Sequence, residues 1–168
     1  MSREDAAELV LNDIPDDPPE GFRPLPMGDG FNLYLGPVYG KMIDGSLRLG
    51  MRVGRRHLNP HRTMHGGITA SFADMQLYAS QQHDPALRTQ LMPTISLSLD
   101  YISPVVAGDW LEGHTMTLKA TRAVLFQQTL AKVGERIVFR SSCVYRLSGR
   151  EAPEGSTLGA TFSDIPVD

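Results

Sequence analysis

Met64-His65-Gly66-Gly67-Ile68-Thr69-Ala70-Ser71-Phe72-Ala73-Asp74-Met75-Gln76-Leu77-Tyr78-Ala79 is the stretch on which the reading of the fold turns. After the paired glycines, Ile68, Phe72, Met75 and Ala79 share one helical stripe, and Ala70, Ala73 and Leu77 lie on the stripes beside it. A helix that is apolar round most of its circumference is enclosed by other structure rather than laid on a surface. Asp74 breaks that pattern, with Gln76 the nearest other polar exception. A carboxylate there is costly unless hydrogen-bonded, paired or protonated. It is either a functional acid or one that reaches out through a gap in its surroundings.

Downstream, four strand candidates follow: Thr94 to Ile102, Trp110 to Thr121, Leu125 to Val133 and Arg136 to Leu147. Turn residues separate them at Pro104 to Asp109, around Arg122 and at Gly134-Glu135. Upstream, Ser46 to Val53 alternates polar and apolar like a half-buried strand, and Asp44-Gly45 before it signals a hairpin. Phe31 to Leu35 and Lys41-Met42 read as short strand pieces broken by glycines. His57 to His65 reads as a loop, because Asn59-Pro60 blocks helix. One buried helix with an antiparallel meander after it, and one or two strands before it, implies an α+β fold: a curved sheet wrapped around a central helix. Such a sheet closes poorly on itself and pairs with a second copy.

Three segments are expected: an N-terminal helix and proline-rich arm over 1–30, the main domain over 31–148, and a loose tail over 149–168. Ser2 caps the predicted first helix, which Pro15 ends. Hydrophobic residues make up 41% of the 168 and charged residues 21%, enough for a full core without metal or disulfide staples. A net charge of −3 gives no broad cationic field for nucleic acid. The lone Cys143, with no signal-peptide pattern or membrane-length apolar run, reads as a cytoplasmic protein without membrane association.

The Gly66-Gly67 pair lets a ligand approach the backbone, and the first N–H groups of the helix behind it can polarise a carbonyl oxygen. A plain turn would also explain the glycines. His57, His61 and His65 fall four apart, but Pro60 and the glycines break the helix that would bring them onto one metal, so no metal is expected. No Gly-x-Ser-x-Gly elbow is present, and Cys143 has no base beside it in the strand pattern.

Taken together, Asn59, five residues, His65-Gly66-Gly67, six residues, then Asp74 resembles the motif of the PaaI-type hotdog-fold acyl-CoA thioesterases. Tyr101-Ile102-Ser103-Pro104 resembles the aromatic-aliphatic-x-Pro step that ends the family's next strand, and Gly108-Asp109 its following Gly-Asp. The resemblance covers about residues 47–147. It implies a hotdog fold, a homodimer or a homotetramer of paired dimers, and hydrolysis of an acyl-CoA without a cofactor, CoA being part of the substrate. By position it implies that Gly66 N–H binds the thioester carbonyl and that Asn59 helps hold the carbonyl or the water. Asp74 from the partner subunit would be general base or nucleophile, with Thr94 positioning the water or the carboxylate. His65 and Gly67 would support the loop against the substrate. Phe72, Tyr78 and Met75 are candidates for the acyl pocket, and Arg122 and Arg140 for the CoA phosphates. The sequence departs from the family pattern at Arg62 and Thr63, where small residues are common. A non-catalytic acyl-CoA-binding protein and an acyl-thioester hydratase or dehydratase are the alternatives on the same fold.

Overall fold

The computed structural model describes residues 14–26 and 30–152. The expected helix over residues 2–13, and the tail beyond residue 152, lie outside the described residues. In chain order the elements are β1 (Arg23–Pro24), α1 (Phe31–Leu35), β2 (Tyr39–Ile43), β3 (Ser46–Arg52), a 3-10 turn (Arg55–His57), α2 (Gly66–Met75), α3 (Leu77–His83), a second 3-10 turn (Pro85–Leu87), β4 (Thr94–Tyr101), β5 (Trp110–Ala120), β6 (Val124–Val133) and β7 (Arg136–Arg146).

All seven strands form one antiparallel sheet in the order β1-β2-β3-β5-β6-β7-β4. The sheet curves round α2 and α3, which make one central helix interrupted only at Gln76. This is the hotdog fold. The β2–β3 hairpin turns at Asp44 and Gly45, both with positive φ (50° and 73°), as its Asp-Gly signal requires. Alternation then assigns the faces. Leu125, Gln127, Thr129 and Ala131 of β6 point inward, while Phe126, Gln128 and Leu130 point out.

The core forms where the helix meets the inner face. Phe72, Ala73, Met75 and Ala79 pack with Leu49, Met51, Leu111, Ala131, Val138 and Phe139, and Phe72 meets Phe139 edge-on with ring centroids 6.4 Å apart. A second cluster of Leu87, Met92, Leu125, Cys143 and Tyr145 closes the far end.

Two readings need correction. Phe31 to Leu35 is a single helical turn, not a strand piece. Positive φ at Gly30 (72°) and Gly36 (84°) turns the chain at both ends, only Leu35 is buried, and the segment takes no place in the sheet. The central helix also runs on to His83 and buries Gln76, Ser80, Gln81 and Gln82, which an apolar stripe does not foretell. The side chains of Gln76, Ser80 and Gln81 bond to the helix, the sheet and the following loop. Gln76 donates to Phe72 O at 3.2 Å and accepts from Thr115 Oγ1 at 2.9 Å; Ser80 donates to Gln127 Oε1 at 2.6 Å.

Gly113 makes room for the Gln76 amide. A Cβ at Gly113 would stand 2.2 Å from Gln76 Oε1 and 2.5 Å from its Cδ. Gly113→Ala should therefore cost about 1–3 kcal/mol through overpacking, seen as a lowered urea midpoint with unchanged slope.

Candidate active site

The loop from Asn59 to His65 is built by short-range hydrogen bonds. Asn59 Oδ1 accepts from His61 N (2.8 Å) and Thr63 N (3.3 Å), and Asn59 Nδ2 donates to Thr63 Oγ1 (2.9 Å). Arg62 sits at the tip with φ 62°, a left-handed conformation that explains why small residues suit this stretch. Met64 N then bonds Val105 O at 2.7 Å and His65 N bonds His57 O at 2.8 Å, which pins the loop to the body of the domain.

His65 is the N-cap of α2: its backbone is extended (φ −64°, ψ 136°) and its Nδ1 accepts from Gly67 N at 2.9 Å. That bond engages Gly67 N–H. Gly66 N–H, the first of the helix, makes no hydrogen bond among the described residues. Gly66 lines a cavity of about 590 Å³ together with Asn59, Thr63, Tyr101, Ile102 and Val105. A free helix-start N–H on a residue that lines a cavity can receive a carbonyl oxygen.

Asp74 lies elsewhere. Eight residues along the helix separate it from Gly66, roughly 12 Å at 1.5 Å per residue. It is half-buried and does not line the Gly66 cavity. Its Oδ1 accepts from Thr94 Oγ1 at 2.7 Å, and its backbone carbonyl accepts from Tyr145 Oη at 3.1 Å. A β-bulge between Thr94 and Ser96 turns the Thr94 side chain to the helix side of β4. Burial pushes the Tyr145 phenol far up, so it remains a donor. Tyr78, one turn beyond Asp74, is also raised, by burial first and the Asp74 charge second.

The structure thus brings Asp74 to Thr94, and Gly66 to Asn59, but leaves these two halves apart within one chain. Phe72 is fully buried in the core and lines none of the described cavities. Arg122 is exposed in the β5–β6 turn, at the Thr94 end of the sheet but two strands removed. Arg140 pairs with Asp100 on the outer face. The three histidines do not converge: His57 is buried with Nδ1 accepting from Gly54 N and Nε2 donating to Leu35 O at 2.7 Å, while His65 Nδ1 caps the helix. Among the described residues no helix is long and apolar enough to cross a membrane.

Tyr101 is the residue the sequence reading left without a role. It ends β4, lines the cavity and donates from Oη to Gly66 O at 3.1 Å. Its place in the aromatic-aliphatic-x-Pro step was the available signal.

The family model for the thioesterase superfamily matches residues 61–135. A Pseudomonas aeruginosa protein, designated an esterase by inference, is 34% identical over 132 residues, covering 77% of this chain and 96% of its own. Among solved structures, the E. coli PaaI protein from the phenylacetic acid degradation operon superposes with a TM-score of 0.63 at 17% identity, over 88% of this chain and 94% of that one. A hypothetical thioesterase from Streptococcus pneumoniae, solved with coenzyme A, does so with a TM-score of 0.57 at 19% identity, over 67% and 88%.

The cap makes a direct prediction. His65→Ala should lose about 1 kcal/mol of stability in urea unfolding, and His65→Asn, which can still accept from the helix, should recover most of it.

Proposed function

The chain belongs to the thioesterase superfamily, a family of thioester hydrolases, and on that premise we propose that it hydrolyses an acyl-CoA to the free acid and CoA. The observation that carries the reading is the unengaged N–H of Gly66, at the start of a helix, in a residue that lines a cavity together with Asn59. A preorganised donor aimed at a developing oxyanion contributes about 3–4 kcal/mol to acyl transfer, and the helix dipole adds to it. The Streptococcus pneumoniae neighbour with coenzyme A supports CoA as the carrier of the acyl group.

Asp74 supplies the second half. Thr94 holds Oδ1, and Oδ2, which has no partner among the described residues, is left to take a proton from water or to attack the carbonyl itself. In either route water ends on the acyl carbon, the C–S bond breaks, and the thiolate of CoA leaves and is protonated. The roughly 12 Å between Asp74 and Gly66 within a chain exceeds hydrogen-bond reach, so the acid in each site comes from a second copy. β4 is suited to that pairing. It is the last strand of the sheet, with Ile95, Tyr101 and Ile102 exposed along and just beyond it. The protein is accordingly a homodimer, or a pair of such dimers, with sites shared across the interface.

The test is free-thiol release from a panel of acyl-CoAs, comparing the native protein with Asp74→Asn. Turnover should fall at least about a hundredfold in the variant, the range of a positioned acid or base. Equal rates would remove Asp74 from the reaction. A folded native protein that binds acyl-CoA yet releases no thiol from any of them would make it a binding module instead.

A further inference from the structure

The oxyanion donor sits in the most flexible dipeptide a chain can offer. Two glycines in succession lack the steric restriction that holds other residues in place, so the direction of Gly66 N–H has to be fixed from outside. The His65–Gly66 peptide is held through its carbonyl, which accepts from Thr69 N at 3.0 Å and from Thr69 Oγ1 at 3.3 Å. The Gly66–Gly67 peptide is held on both edges. Its N–H donates to His65 Nδ1 at 2.9 Å, and its carbonyl, which also takes the intrahelical bond from Ala70 N, accepts from Tyr101 Oη at 3.1 Å. Every one of these bonds is local to the loop and helix except the last. Tyr101 reaches in from the end of β4, thirty-five residues away in sequence.

The approach is close. A Cβ on Gly66 would lie 3.3 Å from Tyr101 Oη, tighter than ordinary contact, so the glycine leaves room for the hydroxyl as well as for a ligand. The Tyr101 ring is 60% exposed and still lines the Gly66 cavity, so it stands beside whatever occupies that space.

We propose that Tyr101 is a positioning residue for the oxyanion donor: its hydroxyl and His65 Nδ1 clamp the Gly66–Gly67 peptide between them and so aim Gly66 N–H, while its ring forms a wall of the acyl-binding space. This rests on the reading of Gly66 as the oxyanion donor. The clamp acts on a group whose value lies in being aligned before charge develops, so its loss falls on the chemical step rather than on substrate capture. The ring acts on the ground state as well, so its loss falls on binding and on the choice of acyl group.

Two substitutions separate these effects. Tyr101→Phe keeps the wall and removes the clamp; kcat should fall roughly 2- to 10-fold, the worth of one hydrogen bond of this kind, with KM nearly unchanged. Tyr101→Leu removes both, and should also raise KM and shift the order of preference across a set of acyl-CoAs of graded length. Solvent exchange of the Gly67 amide, followed by glycine-selective 15N labelling in the intact protein, should quicken in both variants, because the peptide it belongs to loses the bond that ties it to the sheet and keeps only its helical one. A Tyr101→Phe protein with native kcat and native Gly67 exchange would overturn the proposal. Faster exchange in a protein whose native form hydrolyses no acyl-CoA would keep the clamp and overturn the hydrolase reading, so the two failures are distinguishable.

Discussion

Burial of Phe72, Ala73, Met75 and Ala79 against the inner face of the sheet is the contact on which the rest of the molecule depends. It fixes the axis of the central helix, and with it two things of opposite character. One is the start of the helix, where the chain must leave N–H groups unsatisfied. The other is a carboxylate two turns on, half-buried against the sheet edge. The same apolar packing that supplies most of the folding free energy therefore sets where a carbonyl can be polarised and where an acid can stand. Polar contacts then refine the placement. Gln76 is bonded to Thr115 over the gap left by Gly113, and Tyr145 and Thr94 hold the backbone and side chain of Asp74.

The division of labour between sheet edge and helix follows from this. β4 closes the sheet on one side, and its two ends serve different halves of the site: Thr94 at its start meets Asp74, and Tyr101 at its end meets Gly66. The strand, about 23 Å from Thr94 to Tyr101 at 3.3 Å per residue, is long enough to reach both helix positions. Because one rigid strand spans both, neither end can drift toward the other, and within one chain Asp74 and Gly66 stay apart. On the proposed reading, a second copy across the exposed β4 edge would complete both at once, as an isologous interface does.

Much of this was legible in the chain. The helical stripe from Ile68 to Ala79 and the alternation of the four later strands depend on the core alone, and the core imposes its period on the sequence. Asp74 was visible because a carboxylate violates that period. Phe31 to Leu35 was misread because five residues between glycines hold too little pattern to separate one helical turn from a strand. Gln81 and Gln82 were missed because a buried amide obeys no apolar stripe; Gln81 is placed by a partner outside the helix, Gln90 O, at 3.1 Å from its Nε2. Tyr101 was visible only as part of the aromatic-aliphatic-x-Pro step, not as a partner of Gly66. Its partner lies thirty-five positions away, and no local spacing encodes a contact between a strand end and a helix start.

The sharing of each site between two chains is tested most directly by mixing two broken proteins. Gly66→Pro removes the oxyanion N–H at a position where proline suits a helix start, and the extended His65 before it (φ −64°, ψ 136°) tolerates a following proline. Asp74→Asn removes the acid. Each protein alone should be nearly inert toward an acyl-CoA that the native protein turns over. Unfolded and refolded together, they should regain about a quarter of native activity, because half of the dimers are mixed and each mixed dimer holds one intact site of two. A co-refolded mixture that contains mixed dimers and stays as inert as its parts would contradict the shared site.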